Sequence, residues 1–322
     1  MNSSDIQPIP LEQLEQGVFP IVAVGGDARW HPVGTAFVIA VSEPKTALLL
    51  TAAHNLEYIL QKIDAPHTQH HPTVAPDFRA ERPSWIDLSH THPYVVVRNG
   101  TSIALAEMVR SWCMVDFDVA LMLVKIRPDD DADFPYRLAL DSRPIKEGTA
   151  IMAVGCPSMI RDFTANYDTE DFLAELGIRL QTRVGRVIEV CPQGVSNKRW
   201  PGFLVDTLFD FGMSGGPVID LSGAVPLVRG IVCFDMSEEL EDGTKVAGTQ
   251  GFASMLWLAM TIETQLTLVG EDGSLLVSEN SRLLDIVRHG GVDDHGRAHE
   301  HVRVQQTASG LTCSWVSIGS EP

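Results

Sequence analysis

The chain has 322 residues, of which 44% are hydrophobic and 20% charged, a composition that excludes a disordered or fibrous protein. At ~150 residues per domain its length fits about two domains or one large two-lobed one. The 24 basic and 42 acidic residues leave a net charge of −18, which repels phosphate backbones and anionic lipid heads, so neither nucleic acid nor a membrane surface is an expected partner.

No stretch approaches the ~18 consecutive apolar residues of a membrane span. The N-terminal acids Asp5, Glu12 and Glu15 are unlike the basic head of a secretory signal, and none is expected. In chain order, strands are predicted over Phe19–Val24, Gly34–Val41, Thr46–Thr51, Tyr94–Arg98, Ile103–Val109 and Val119–Val124. A second set follows over Thr149–Gly155, Gly177–Val190, Gly202–Thr207, Pro217–Asp220, Val228–Phe234 and Gly248–Ala253. They are short, rich in Val, Ile, Leu and Phe, and punctuated by Gly, Pro or Asp. Strand–helix–strand alternation is absent, which argues against a parallel α/β sheet. Two sets of about six strands predict an all-β protein of two antiparallel barrels or sandwiches.

Helices are expected at Asp168–Leu176, with acids in its first turn and Gly177 beyond its end, at Ser254–Gln265 with Ser254 as its cap, and at Ser281–Arg288. Gln61–Pro93 reads as a long loop. Acidic, Pro-bounded Pro128–Pro144 reads as the connector between lobes, and residues 266–322 as a C-terminal extension.

The five cysteines, Cys113, Cys156, Cys191, Cys233 and Cys313, are odd in number, far apart and without a CxxC pair. That predicts buried reduced thiols in a cytoplasmic protein rather than a disulfide framework or a cysteine zinc site. His67, His70, His71, His90 and His92 crowd one polar segment, and His295, His299, Glu300 and His301 crowd the tail. Their spacing matches no closed zinc site, and neither a metal nor a cofactor is expected.

Three segments carry chemistry. Thr51-Ala52-Ala53-His54 follows an apolar strand, Asp118-Val119-Ala120-Leu121 opens another, and Gly212-Met213-Ser214-Gly215-Gly216-Pro217 opens a third. A serine between glycines suits a tight turn whose amides point inward. Its hydroxyl needs a base and a site for the oxyanion that its attack creates, and the N–H groups of Gly212 and Ser214 can supply that site. GMSGG also fits the nucleophile elbow of α/β-hydrolases. That fold needs a helix after the serine and a histidine later in the chain; here Pro217-Val218-Ile219 continues as a strand, and later histidines lie only in the tail.

The order histidine, aspartate, serine is that of the trypsin and chymotrypsin-like peptidases. The three segments resemble that family's T-A-A-H, D-x-A-L and G-x-S-G-G-P boxes over roughly residues 17–265, after an N-terminal segment 1–16. Gly34-Thr35-Ala36-Phe37-Val38-Ile39 and Gly230-Ile231-Val232-Cys233-Phe234 resemble the strand before the histidine and the substrate-binding strand after the serine. Without paired cysteines the chain is more similar to bacterial HtrA-type and other intracellular members. The resemblance implies a chymotrypsin-like fold of two six-stranded barrels with a C-terminal helix. It also implies a serine endopeptidase acting on protein or peptide through a catalytic triad of His54, Asp118 and Ser214. Asp116 is the nearest alternative acid; Val-Ala-Leu after Asp118 favours Asp118. A catalytically silent scaffold with the same barrels is the competing reading.

By the same resemblance the side chain before the cut enters a pocket with Leu208 and Phe209 at its floor and Cys233, Phe234, Asp235 and Gly251 as walls. This favours an apolar or small residue, unless Asp235 or Asp210 points inward to pair with Lys or Arg. Met213 stands where digestive members place the aspartate that captures a new N-terminus. Ordering of the turn is therefore expected from local packing, from the segment Pro157–Leu180, or from an activating protein partner.

Overall fold

The run Ala47-Leu48-Leu49-Leu50 shows no apolar–polar alternation, and its place in the fold explains why. In the computed structural model it lies in strand β3, which is covered on both faces. The structure describes residues 14–25, 30–43, 45–64, 91–99, 102–134, 138–157, 180–195, 200–223, 226–236, 238–239, 245–246, 248–260, 262–264, 268–269, 275–277, 281–283, 302–307 and 310–315.

Six strands close the first barrel: β1 (Val18–Val24), β2 (Trp30–Glu43), β3 (Thr46–Thr51), β4 (His92–Asn99), β5 (Ser102–Met114) and β6 (Val119–Ile126), in the order β1-β2-β3-β6-β5-β4. Ala47 and Leu49 of β3 join Ala120, Met122 and Val124 of β6 in this barrel's own core. Leu48 and Leu50, with Val119 and Leu121, join a second cluster that includes Phe203, Ile231 and Phe252 of the other barrel. Successive residues of a strand point to opposite faces. A strand between two cores therefore reads as a continuous apolar run, and each Leu so buried contributes about 1.5–3 kcal/mol.

The second barrel holds β7 (Ala150–Gly155), β8 (Gln181–Cys191), β9 (Gly202–Val205), β10 (Pro217–Asp220) and β11 (Leu227–Asp235). The small hairpin β12 (Glu238–Glu239) and β13 (Lys245–Val246) precedes its last strand, β14 (Gly251–Met255). The order is β10-β11-β14-β9-β8-β7, closed and antiparallel. The predicted all-β architecture of two six-stranded barrels is thus the observed one. Later in the chain, β15 (Glu263–Thr264) pairs with β18 (Ser281–Arg282), β16 (Leu268–Val269) with β17 (Leu275–Val277), and β19 (Val302–Thr307) with β20 (Gly310–Trp315).

Several local expectations are corrected. Ser254 is not a helix cap: it lies in β14 opposite Ile231 and Gly202, and only Leu256–Ala259 form a helical turn, because the pairing of β14 with β11 holds the chain extended to Met255. Ser281–Arg282 is strand, not helix. Gln61–Asp64 is helical rather than loop, since Ile59, Leu60 and Ile63 bury their side chains; His92 and Pro93 are already in β4. The expected helix Asp168–Leu176 lies outside the described residues, as do His67, His70, His71, His90, His295, His299, Glu300 and His301.

Between β6 and β7 the chain crosses from one barrel to the other. There Asp141, fully buried, receives Arg143 at 2.9 Å from Nε and Arg229 at 2.8 Å from Nη1, and Arg229 also meets Asp220 at 3.2 Å. Burial by itself pushes the Asp141 carboxyl up, but hydrogen bonds from Arg143 and the charges of both arginines outweigh it and hold the group below its ordinary value. A carboxylate depressed in the folded state adds stability above its unfolded pKa of about 3.9 and loses it as pH falls through the lower folded value. Arg229→Met is expected to cost roughly 3 kcal/mol in urea unfolding at pH 7, by leaving Asp141 short of a partner, and progressively less as pH falls through the folded value.

Candidate active site

Strand register delivers the first two side chains. β3 pairs with β6 so that Thr51 faces Ala120, which brings the residues just after β3 beside those just before β6. The helix Ala53–Tyr58 starts there and carries His54 in its first turn. His54 Nδ1 lies 2.9 Å from both carboxylate oxygens of Asp118, and the His54 backbone N–H donates to Asp118 Oδ1 at 3.0 Å. The carboxylate side chain is 8% exposed and the imidazole 39%, so the acid is shielded while the ring reaches solvent.

Asp118 adopts φ 51°, ψ 42°, the left-handed region, and is the one non-glycine residue with positive φ among those described. Asp and Asn tolerate this conformation better than other L-residues. The turn that ends Val115–Phe117 thus selects the same residue types that the imidazole needs. Asp116, inside the Val115–Phe117 turn, is exposed; it is Asp118 that meets His54.

Cys233 is buried beside this pair. Its thiol lies 2.9 Å from Ser254 Oγ, which accepts from Trp200 Nε1 at 2.8 Å and donates to the Phe117 carbonyl at 3.2 Å. Burial first, then the Asp118 charge, push the Cys233 thiol well above its ordinary value. Burial likewise raises Cys156 to about 12 and Cys191 to about 11. Cys113, Cys156, Cys191 and Cys233 are all free and buried, so they stay protonated and weakly nucleophilic at neutral pH.

The second barrel supplies the serine. Between β9 and β10 the chain turns at Gly212 (φ +92°) and Gly215 (φ +87°). A Cβ on Gly215 would lie 2.2 Å from the Thr35 carbonyl oxygen and the Thr51 hydroxyl, so only glycine lets the turn approach the first barrel this closely. Ser214 Oγ donates to the Cys233 carbonyl at 2.8 Å. Among the described residues, the N–H groups of Gly212 and Ser214 meet no backbone acceptor, and two such donors beside a hydroxyl are what an oxyanion requires.

The residues expected around the pocket separate. Leu208 is 37% exposed, whereas Phe209 is buried, and its ring edge lies 2.7 Å from where a Cβ on Gly251 would stand. Phe234 stacks on Phe252 at 5.2 Å, and Cys233 is fully buried. Asp210 pairs with Arg183, Nε to Oδ2 at 2.8 Å, so its charge is already engaged. The Asp235 side chain lies outside what the structure describes.

The sequence did not single out Asn55 and Thr35, which carry hydrogen bonds into the serine turn, or Thr51, which bonds to both of them. Asn55 is an amide among the apolar positions of a buried helix, and that was its visible signal.

Two closed antiparallel barrels with these boxes at their junction define a chymotrypsin-like protein, and the chain belongs to the trypsin-like peptidase domain family, whose model matches residues 34–226. Solved structures with a similar fold include the MamO protease domain of Magnetospirillum magneticum in its apo form (14% identity, 77% of this chain and 96% of that one, TM-score 0.44). Others are the Rv3671c protease of M. tuberculosis in its active form (18%, 80% and 88%, TM-score 0.42) and the protease Anisep of Arthrobacter nicotinovorans (10%, 74% and 90%, TM-score 0.43). No curated protein sequence matches.

Proposed function

We propose that the protein is a serine endopeptidase that hydrolyses peptide bonds through an acyl-enzyme intermediate. The observation that carries this reading is the His54–Asp118 pair at 2.9 Å beside a glycine-bounded turn that holds Ser214. Ser214 Oγ attacks the peptide carbonyl. His54 takes the hydroxyl proton and returns it to the leaving amine; water then repeats the sequence to release the acyl group. Asp118 fixes the ring tautomer and stabilises the imidazolium. The N–H groups of Gly212 and Ser214 bind the oxyanion.

One observation favours a second reading, a protease-like scaffold without chemistry. The Ser214 hydroxyl donates to the Cys233 carbonyl, and attack requires that proton to turn toward His54. Labelling with a fluorophosphonate separates the two. A peptidase labels at Ser214 and the Ser214→Ala variant does not; wild-type protein that labels under no condition, with or without an activating partner, favours the scaffold.

The peptidase reading carries a specificity. The buried, apolar Phe209 ring packed against Gly251 at the expected pocket supports a small apolar side chain before the cut. An apolar pocket does not compensate a buried cation. Peptide-library cleavage read by mass spectrometry is expected after small residues, and Phe209→Ala is expected to shift kcat/KM toward Leu or Phe by about 10- to 100-fold. Dominant cleavage after Arg or Lys would overturn this.

A further inference from the structure

We propose that Thr35 and Asn55, both from the first barrel, are positioning residues that hold two carbonyls of the serine turn and thereby restrict the peptide between them, which carries the Ser214 N–H offered to the oxyanion, with no charged group involved. The inference deepens the peptidase reading and rests on it.

The turn presents two carbonyls to the first barrel. The Ser214 carbonyl accepts from the Thr35 backbone N–H at 2.8 Å and from Asn55 Nδ2 at 2.9 Å. The Gly212 carbonyl accepts from Thr35 Oγ1 at 2.7 Å. The donors are themselves fixed. Thr35 Oγ1 accepts from the Cys156 N–H at 2.9 Å, Asn55 Nδ2 also donates to Thr51 Oγ1 at 2.9 Å, and Thr51 Oγ1 donates to the Thr35 carbonyl at 2.7 Å. Thr35 and Thr51 are fully buried and Asn55 is 2% exposed. Both amide hydrogens of Asn55 are thereby used, so its head group has one satisfied orientation.

Space is cut to fit this strap. A Cβ on Gly34 would lie 2.4 Å from Asn55 Nδ2, and one on Gly215 would lie 2.8 Å from it. The side chain between the two held carbonyls, Met213, is fully buried and uncharged.

A peptide unit is planar, so holding a carbonyl fixes the N–H that follows it. The Gly212 carbonyl sets the Met213 N–H, which donates to Asp210 at 3.0 Å, and the Ser214 carbonyl sets the Gly215 N–H, which donates to Val232 at 2.7 Å. The peptide between these two planes carries the Ser214 N–H; its own carbonyl, that of Met213, accepts from the Gly216 N–H at 2.9 Å, and the held planes on either side restrict how far it can turn. Residues 158–179 of the expected segment Pro157–Leu180 lie outside the described residues. N-terminal trimming is not needed for these bonds, and cutting before Ile21 would strip β1 residues Val18–Pro20 that pair with Phe37–Thr35.

Amide hydrogen exchange on full-length Thr35→Val, Thr35→Ser and Asn55→Leu tests the strap, with fluorophosphonate labelling and peptide kinetics on the same samples. Thr35→Val and Asn55→Leu are expected to speed exchange at Met213, Gly215 and Gly216 about tenfold or more while amides within the first barrel keep their protection. Labelling rate and kcat should fall by about 10²-fold, the scale of one lost oxyanion donor, with KM nearly unchanged. Thr35→Ser, which keeps the hydroxyl, should return both toward wild type; valine, with threonine's shape, should not. Unchanged exchange in the turn overturns the proposal, as does equal loosening of the whole barrel. Exchange does not depend on activity, so a turn that loosens as expected in a protein that labels under no condition, with or without a partner, counts against the peptidase reading and leaves the strap standing.

Discussion

Replacing Ser214 by alanine is expected to lower kcat for peptide hydrolysis by about 10⁶, the scale seen when a serine peptidase loses its nucleophile or its base. His54→Ala should cost about as much, and the double variant no more than either alone. The two side chains act as one unit: without the base the hydroxyl stays a weak nucleophile, and without the hydroxyl the base has no proton to take. Residual turnover of about 10³–10⁴ over water should remain, because the turn that offers the Gly212 and Ser214 N–H groups is held by backbone and first-barrel contacts that neither substitution touches. Steady-state kinetics on purified variants, with thermal unfolding as the control for folding, measures this. Full activity in Ser214→Ala would remove the serine from the mechanism.

Asp118→Asn is expected to lower kcat by about 10⁴ with little change in stability. Asparagine is nearly the same shape and tolerates φ 51° as well as aspartate does, so the turn and the approach of His54 survive. Chemistry changes instead. An amide N–H facing His54 Nδ1 makes that nitrogen the acceptor and moves the ring proton to Nε2, the atom that must be free to receive the serine proton. Asp118→Ala adds a backbone cost of roughly 1–2 kcal/mol, because alanine is strained in the left-handed region; its unfolding midpoint should fall where that of Asp118→Asn does not. A kcat for Asp118→Asn within tenfold of wild type would assign Asp118 a structural role only.

The amino-acid sequence by itself determined the strand content, the division into two sets of six, and the three boxes in their order. Each of these is written locally. Short Val-, Ile- and Leu-rich runs broken by Gly and Pro specify strands, and His54, Asp118 and Ser214 each sit in a segment whose residue types fit one chemical task. Overestimated helix at Ser254–Gln265 shows the limit of local reading: its apolar residues fit either period, and pairing of β14 with both β9 and β11 decided for strand.

Tertiary structure decided what depends on strand register, on close approach within a barrel and on one barrel touching the other. Asp118 was already favoured over Asp116 by the residues after it; β3–β6 register and a left-handed turn bring its carboxylate to His54. The inward placement of Phe209 rather than Leu208 follows from the approach of Gly251, more than forty residues away in sequence. The hydrogen bonds from Asn55 and Thr35 to the Ser214 carbonyl join residues 159 and 179 positions apart, and no pattern within a strand or helix encodes a contact at that separation. Packing of two cores against each other fixed these last contacts, because buried polar groups at such a junction find their partners across it or are left unsatisfied.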